Sequence, residues 1–283
     1  MISIIVCSIK PDLLRSFKAN VLETIGVPHE FIIIDNNKEQ FSICKAYNVG
    51  AEKAKYDVLA FCHEDILFHT NNWGEELIKT LRDTSIGAVG AAGVKIKPCV
   101  PASWTSVSDK YYRTNLIKNS DNKKIKSIKK DNVAEKLSDI AIADGMFLVT
   151  TKTIWENNKF DEINFDGFHF YDQDFSMQII KNYRIVINHE ILVEHLSEGN
   201  LNKSWLKYSD VFFNKWKQDM PVITYVLTTN EINQCTYDAC YSYVFNSYRL
   251  GSKSVFVLQF IFKMFFLNPF NRKTISAMKY FFK

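Results

Sequence analysis

YDVLAFCHEDILF, residues 56–68, is the stretch that decides the fold: a short apolar strand runs directly into the charged cluster His63-Glu64-Asp65. Open α/β sheets form their ligand crevices outside the carboxyl ends of strands, so an acid at this place is a candidate for chemistry. Asp65 is therefore the first candidate. The alternative interpretation is a polar strand-to-loop transition in which Asp65 caps a turn.

The segments around this stretch alternate between strand and helix patterns. Together with the strand at 58–61, they are a strand over 3–7, a helix over 11–25, a strand over 31–34, a helix over 41–54, a helix over 73–82 and a strand over 88–91. This β-α-β-α-β-α-β order predicts an α/β fold with a mostly parallel central sheet and helices on both faces.

Composition argues against several classes of protein. With 283 residues and 47% hydrophobic content, the chain can bury a large core. Neither a GxGxxG motif nor a Walker A lysine loop is present, which argues against a dehydrogenase. The net charge of +4 is too small to predict nucleic-acid binding. The six cysteines include no CxxC pair and the N-terminus has no secretion-signal pattern, so we expect reduced thiols in a cytoplasmic protein.

The chain from Arg249 onward has a different character. It holds seven Lys or Arg residues, no acid and many phenylalanines, which is typical of a membrane-surface segment. The apolar run over 255–267 is shorter than the ~20 residues that a spanning helix needs. The alternative is that these aromatic residues pack on the main domain or on a second subunit, as in a homodimer.

Several motifs, taken in order, resemble the GT-A glycosyltransferases of the family 2 kind. The motifs are SIIVCS at 3–8, IIIDNN at 32–37, KAYNVGAEKAKYD at 45–57 and HED at 63–65. The resemblance implies a GT-A fold over residues 1–199 that uses a nucleotide-diphosphate sugar. Residues 200–283 would then be a helical C-terminal appendage that serves membrane contact or dimerisation.

On the donor side, the resemblance implies that Ser8, Asp35, Asn48 and His63 contact the nucleotide. Asp65 stands at the second acid of the family's D-x-D pattern and is the implied metal ligand, whereas His63 replaces the first acid. One carboxylate can suffice, because Mg²⁺ or Mn²⁺ keeps waters and phosphate oxygens as its other ligands. The implied cofactor is therefore a divalent metal, Mn²⁺ or Mg²⁺.

Two later segments resemble further parts of the same site. Asp144 and Gly145 interrupt a predicted strand over 141–150 that is similar to the family's acceptor-side floor. His195 follows a predicted strand over 184–187 and matches a histidine that completes the metal shell in several GT-A enzymes. The alternative for His195 is a hydrogen-bonded structural residue.

The segment YDQDF at 171–175 resembles the family's E-D-x-D-L segment, with Tyr171 in place of the glutamate. The resemblance implies Asp172 as the catalytic base that takes the proton of the acceptor hydroxyl. Asp174 is expected on the acceptor side. Because acids in the first turn of a helix also cap it, we assign Asp174 mainly to capping and Asp172 mainly to catalysis.

Residues 118–136 hold seven lysines and three acids. Such a segment buries little apolar area, so it predicts a mobile loop. The functional alternative is a lid that orders when an anionic donor or a lipid-diphosphate acceptor binds.

These patterns and the resemblance together predict a metal-dependent inverting glycosyltransferase with a UDP-sugar donor and a glycan or lipid-linked acceptor. The resemblance and the composition suggest bacterial surface-polysaccharide assembly, in the cytoplasm and peripheral to the inner face of the cell membrane. The alternative is a non-catalytic GT-A-like protein that binds a nucleotide or sugar, or organises an assembly complex.

Overall fold

The computed structural model describes residues 1–120, 123–197 and 201–281. The strands described are β1 Ile2–Ser8, β2 His29–Asp35, β3 Val58–Cys62, β4 Ile66–Phe68, β5 Ile86–Gly90, β6 Ala92–Val94, β7 Ile96–Lys97, β8 Tyr112–Ser120, β9 Lys123–Lys129, β10 Leu137–Ile140, β11 Ile142–Ala143, β12 Phe147–Thr151, β13 Arg184–Asn188, β14 Val193–His195 and β15 Val222–Ile223. The helices described are α1 Pro11–Thr24, α2 Asn36–Glu39, α3 Ile43–Lys53, α4 Trp73–Thr80, α5 Lys152–Asn157, α6 Tyr171–Ile179, α7 Lys203–Trp216, α8 Thr229–Arg249, α9 Val255–Leu267 and α10 Arg272–Phe281.

The central sheet has the strand order β10-β13-β5-β12-β3-β1-β2. The pairs β1–β2, β1–β3 and β13–β5 are parallel, whereas β12 runs antiparallel to β3 and β5, and β10 runs antiparallel to β13. The sheet is therefore mixed and not purely parallel, because β12 and β10 run opposite to the other five strands. The antiparallel pairing of β12 with β3 sets the start of β12 beside the end of β3.

Helices cover both faces of this sheet, as the sequence predicts. Successive side chains of β1 point to opposite faces, so Ile4 and Ile5 mark the two sides. Phe31, which pairs with Ile4, contacts Phe17 of α1 at a ring-centroid distance of 6.4 Å. On the other face, Gly50 of α3 lies so close that a Cβ there would be 2.3 Å from Ile5 Cγ2.

The bounds of the predicted helices agree with the structure to within about two residues. Helix α1 has Pro11 in its first turn, and the chain leaves it through Gly26, whose φ of +72° favours glycine. Asn72 precedes α4, and its side chain makes no capping hydrogen bond to the helix.

Residues 118–120 and 123–129 of the lysine-rich segment lie in paired strands, so the prediction of a loop is wrong for these residues; residues 121–122 lie outside the described residues. Strand β9 pairs antiparallel with β8, from Thr114 opposite Lys129 to Ser120 opposite Lys123. Strand β8 also belongs to a second sheet, of order β11-β6-β8-β14-β4. An outer strand satisfies its backbone on a neighbour without burying apolar side chains, and lysines are common on such strands.

The chain divides into two compact units, Met1–Gly93 with Arg113–Gly199, and Val94–Tyr112 with Asn200–Lys283. The second unit is mainly helical, as predicted for the C-terminal appendage. It also takes in residues 94–112, which the sequence analysis assigned to the first domain, because β7 pairs with β15 there. The predicted boundary between 199 and 200 lies outside the described residues. In the core of this unit, Tyr243 of α8 packs against Phe260 of α9 at a ring-centroid distance of 5.1 Å.

Candidate functional site

The candidate site lies at the carboxyl edge of the central sheet, within the first unit. Parallel pairing of β1 with β2 sets Ser8 opposite Asp35, and His63-Glu64-Asp65 follow the end of β3. Strand β14 then brings His195 opposite Ile66, the residue that follows Asp65. Four segments far apart in sequence thus converge at one edge, as expected for the ligand crevice of an α/β sheet.

His63, Asp65 and His195 form a potential metal-binding group, called here the histidine–aspartate cluster. Each offers a ligand atom, and these atoms all lie within 4.8 Å of one another. Asp65 Oδ1 is 3.5 Å from His195 Nε2 and 3.8 Å from His63 Nδ1. His195 Nε2 is buried and makes no hydrogen bond to any described residue. Two imidazoles and a carboxylate suit Mn²⁺, whereas Mg²⁺ prefers oxygen ligands.

In this cluster the protonation of Asp65 and His63 suits a cation, whereas His195 would have to lose a proton to bind one. Burial opposes ionisation of Asp65, but His195 and Ser197 outweigh it and hold the pKa of Asp65 below its usual value. Burial lowers the pKa of His63, which favours the neutral imidazole that can coordinate a metal. For His195, the neighbouring acids overcome the effect of burial and raise its pKa. Ser197 Oγ donates to Asp65 Oδ2 at 2.5 Å and orients the carboxylate.

Glu64 is a site residue that the sequence analysis missed. Its buried carboxylate accepts hydrogen bonds from Ser8 Oγ at 2.5 Å, from the backbone N–H of Ile9 at 3.2 Å and from that of Lys10 at 3.0 Å. Glu64 therefore holds the β1–α1 turn against the end of β3. Its place between His63 and Asp65 is visible in the sequence, but its partners, more than fifty residues away, are not.

Asp35 and Asn48, both predicted to contact a nucleotide, differ in their surroundings. Asp35 is half-buried at the end of β2 and forms an ion pair with Lys38 at 2.9 Å. Asn48 is buried; its amide donates to the carbonyl of Phe160 at 2.8 Å and accepts from Trp155 Nε1 at 3.2 Å. Asn48 thus anchors the chain around 155–160, a role that the sequence did not predict.

The residues predicted to lie on the acceptor side and to act as the base are close to the loop that joins β11 and β12. The N–H of Gly145 donates to Asp172 Oδ2 at 3.2 Å, and the N–H of Gln173 donates to Asp172 Oδ1 at 2.9 Å. Asp144 Oδ1 accepts from the N–H of Met146 at 3.0 Å and shapes the loop. Burial raises the pKa of Asp172 to about 7, and the charge of Asp144 adds to this effect. Asp172 can therefore exchange a proton near neutral pH.

Tyr171 links the two halves of the site. It is the first residue of α6, and its Oη lies 2.8 Å from His63 Nε2. A Cβ on Gly145 would be 2.1 Å from the same oxygen, so only glycine fits beneath it. In the sequence, Tyr171 is only a departure from the family pattern, because nothing in the sequence indicates its contact with His63.

Two other polar residues lie in the packed interior. Asp174 is buried and accepts a hydrogen bond from Gln178 Nε2 at 2.9 Å. His189 is also buried, with its Nε2 at 2.7 Å from Ser138 Oγ, and burial lowers its pKa to about 4.

Most of the residues predicted for the site lie together at the carboxyl edge of the sheet. They are Ser8, Asp35, His63, Asp65, His195, Asp144, Gly145 and Asp172. The side chains of Asn48 and Asp174 instead make hydrogen bonds within the surrounding framework.

Comparison with known proteins points to one family. The family described as "Glycosyltransferase like family" matches residues 3–221. Among solved structures, GalNAc-T7 with UDP, GalNAc and Mn²⁺ aligns with a TM-score of 0.52 and 12% identity, over 78% of this chain and 51% of that one. The chain thus spans about half of that protein, and the likeness shows a shared GT-A fold.

Two further structures align less closely. The mannosyltransferase PcManGT from Pyrobaculum calidifontis, in complex with GDP-Man and Mn²⁺, has a TM-score of 0.48 and 12% identity, over 99% of this chain and 74% of that one. A197 from STIV has a TM-score of 0.41 and 11% identity, over 70% and 86%. No curated protein sequence matches the chain significantly.

Proposed function

Because the chain belongs to the glycosyltransferase-like family, matched over residues 3–221, we propose that it is a metal-dependent inverting glycosyltransferase. It would move a sugar from a nucleoside-diphosphate donor to a glycan or lipid-linked acceptor. One observation carries the proposal: the histidine–aspartate cluster and the carboxylate of Asp172 are joined through Tyr171 and Gly145. Such a transfer needs a group that holds the metal and a base for the attacking hydroxyl.

On the donor side, His63, Asp65 and His195 would hold the metal. A divalent ion held by these residues would supply positive charge to neutralise the departing diphosphate. The imidazole ligands favour Mn²⁺ over Mg²⁺. Asp35, half-buried at the end of β2 beside Ser8, is the proposed contact to the base or ribose. A UDP-sugar is the first candidate donor on the family resemblance.

On the acceptor side, Asp172 would act as the base. Its carboxylate takes the proton of the acceptor hydroxyl while that oxygen bonds to the anomeric carbon. The bond from this carbon to the diphosphate breaks, and the diphosphate leaves with the electron pair. The transition state has oxocarbenium character, as in glycoside hydrolysis. Displacement without a covalent intermediate inverts the anomeric configuration, and a pKa of about 7 suits a base near neutral pH.

The donor site can be tested by thermal unfolding with a panel of nucleoside diphosphates and sugar nucleotides, in the presence of Mn²⁺, Mg²⁺ or chelator. A ligand at 100 times its Kd stabilises a fold by about 2.7 kcal/mol. We expect a metal-dependent shift with one nucleotide, lost in Asp65→Ala and kept in the control Asp238→Ala on α8. No shift with any nucleotide would contradict the proposal. Stabilisation without sugar transfer to any acceptor would support the non-catalytic alternative.

A membrane role for the C-terminal region is supported by α9. Val255, Phe262 and Phe266 lie along one face of this helix and are exposed to 83%, 45% and 82%, whereas Phe260 and Met264 on the opposite face are buried. The chain from residue 249 onward carries seven cations and no acid. We propose that this face lies on the inner surface of the cell membrane, near a lipid-linked acceptor of bacterial surface-polysaccharide assembly. Within the described residues, every helix is too short or too polar to cross a bilayer.

Vesicle sedimentation distinguishes this role from dimerisation. The protein should sediment with vesicles that contain phosphatidylglycerol and less with pure phosphatidylcholine. The double variant Phe262→Ser/Phe266→Ser should no longer sediment with the phosphatidylglycerol vesicles. The control Ile163→Ser, at an exposed site of the first unit, should still sediment with them. If the double substitution instead converts a dimer to a monomer by light scattering, with no vesicle binding in the unsubstituted protein, the face is a subunit interface.

A further inference from the structure

The two positions where the chain departs from the family pattern are in direct contact. His63 stands where the family has the first acid of its D-x-D motif, and Tyr171 stands where it has a glutamate. Although 108 residues separate them, His63 Nε2 lies 2.8 Å from Tyr171 Oη. We propose that Tyr171 is a positioning residue that fixes His63 as a metal ligand through Nδ1. This inference rests on the proposed metal-dependent function and names how its metal site is assembled.

The hydrogen bond decides which ring nitrogen can bind a metal. With Nε2 held at Tyr171, Nδ1 is the nitrogen on the side of Asp65, 3.8 Å from its Oδ1. If Nε2–H donates to Tyr171 Oη, Nδ1 carries the lone pair that a metal needs, since a neutral imidazole has one protonated nitrogen. A partner on the second nitrogen commonly fixes the tautomer and ring orientation of a metal-binding histidine.

The surroundings of Tyr171 keep its hydroxyl in place. The side chain is 5% exposed, and its ring packs against Tyr47 at a centroid distance of 5.9 Å and against Phe160 at 6.3 Å. Gly145 leaves room for the hydroxyl, since any Cβ there would be 2.1 Å from it. The oxygen is therefore held in a fixed position beside His63.

The exchange of an acid for a histidine changes the character of the metal site. Compared with a D-x-D site, the cluster has one carboxylate fewer and one more imidazole nitrogen. Nitrogen ligands suit Mn²⁺, whereas Mg²⁺ is held by oxygen ligands. The pair His63–Tyr171 thus provides a ligand in place of the lost acid and biases the site toward Mn²⁺.

Titration calorimetry with Mn²⁺ alone tests this inference without any donor or activity. Tyr171→Phe keeps the ring and removes only the oxygen, and we expect it to weaken Mn²⁺ binding about tenfold, the lower end of the range for lost outer partners of metal ligands. Tyr241→Phe on α8 is the matched control and should bind as the unsubstituted protein does. Because Tyr171 acts through His63, the double variant His63→Ala/Tyr171→Phe should bind no more weakly than His63→Ala alone. Unchanged affinity in Tyr171→Phe, or additive losses in the double variant, would overturn the inference.

Electron spin-echo spectroscopy of bound Mn²⁺ provides a second measurement that a general loss of stability would not mimic. We expect coupling to two imidazole nitrogens in the unsubstituted protein and to one in His63→Ala, with the second coupling weakened in Tyr171→Phe. A single nitrogen in the unsubstituted protein would exclude His63 as a ligand. If Mn²⁺ binds through both histidines but no sugar is transferred, the inference stands and the proposed function fails.

Discussion

Glu194 and His195 are consecutive residues of β14, yet they belong to two very different polar clusters. Successive side chains of a strand point to opposite faces. The Glu194 carboxylate is fully buried and accepts hydrogen bonds from His69 Nε2 at 2.7 Å, Asn119 Nδ2 at 3.0 Å and Lys124 Nζ at 2.9 Å. His195 Nε2, one residue further, is buried and makes no hydrogen bond among the described residues.

The contrast distinguishes a cluster that stabilises the fold from a cluster that is proposed to bind a metal. The cluster of Glu194, called here the paired cluster, satisfies its charge with partners and ties strands β8 and β9 to β14. The histidine–aspartate cluster keeps its ligand atoms within 4.8 Å of one another, and its His195 Nε2 lies 3.5 Å from Asp65 without a hydrogen bond among the described residues. Buried polar atoms are normally paired, so an orphaned one calls for an explanation such as a bound ion. Substitutions in the first cluster should affect stability, and those in the second should affect chemistry.

The largest expected effect is on chemistry, at Asp172. Asp172→Asn should lower the rate constant for sugar transfer by about 10²–10⁴, because a positioned base contributes that much. The stabilisation by Mn²⁺ and donor should remain, since the histidine–aspartate cluster is intact. Steady-state kinetics and thermal unfolding measure the two quantities. Full turnover in the variant would show that Asp172 is not the catalytic base.

His195→Ala should separate metal binding from stability. We expect Mn²⁺ affinity to fall by at least about 10- to 100-fold, the loss seen even for outer partners of metal ligands. The free energy of unfolding without metal should change little, because the contact of Nε2 with Asp65 Oδ1 is long, at 3.5 Å, and Asp65 keeps its hydrogen bond from Ser197. Calorimetry and urea unfolding in chelator measure these effects. A strongly destabilised variant with normal Mn²⁺ affinity would show that His195 serves stability and not metal binding.

Glu194→Ala should show the opposite behaviour. Removing the carboxylate leaves three donors without their partner, which should lower the free energy of unfolding by about 1–3 kcal/mol. Burial opposes ionisation of Glu194, but Lys124, Asn119 and His69 outweigh it and lower its pKa. Its stabilisation is therefore present above the pKa of an unfolded glutamate and is lost as pH falls through the folded value. Urea unfolding should show a large difference at pH 7 and a smaller one in acid. A cost that grows in acid would contradict this assignment.

The smallest expected effect is a shift in pH dependence. Asp172 must be ionised to accept a proton, so kcat/KM should fall as pH drops through about 7, the raised pKa of this group. Asp144→Asn removes a neighbouring negative charge, which favours ionised Asp172. The fall of kcat/KM on the acid side, called here the acid limb, should therefore move to lower pH by up to about one unit. The control Asp238→Asn, on α8, should leave the pH of the acid limb unchanged. An upward shift in Asp144→Asn would contradict the proposed electrostatics.

The parts of the site that sequence reasoning identified are those that follow local rules. His63 and Asp65 stand directly after an apolar strand, and Asp172 stands in the first turn of a helix. Each of these places is visible in a short window of sequence, because strand and helix periodicity are local properties. The family resemblance added roles to residues already marked by position.

The parts that sequence reasoning missed depend on partners far along the chain. The carboxylate of Glu64 finds Ser8 across 56 residues, and Tyr171 finds His63 across 108. The lysines of residues 118–136 predict a loop because they bury little apolar area, but strand β9 pairs its backbone with β8, which needs no such burial. Asn48 fits a nucleotide-contact motif, but its amide holds the chain near Phe160.

The sequence by itself determined the α/β class, the helical C-terminal part and the two acids at element ends, Asp65 and Asp172, because each follows from periodicity and end signals within about fifteen residues. The tertiary structure alone decided that the sheet is mixed and that residues 94–112 group with the C-terminal helices. It also decided that Glu194 is hydrogen-bonded, whereas His195 Nε2 has no hydrogen bond within the part of the chain that the structure describes. These outcomes depend on which strands become neighbours. Strand pairing is a non-local contact, and a single sequence carries little local signal of it.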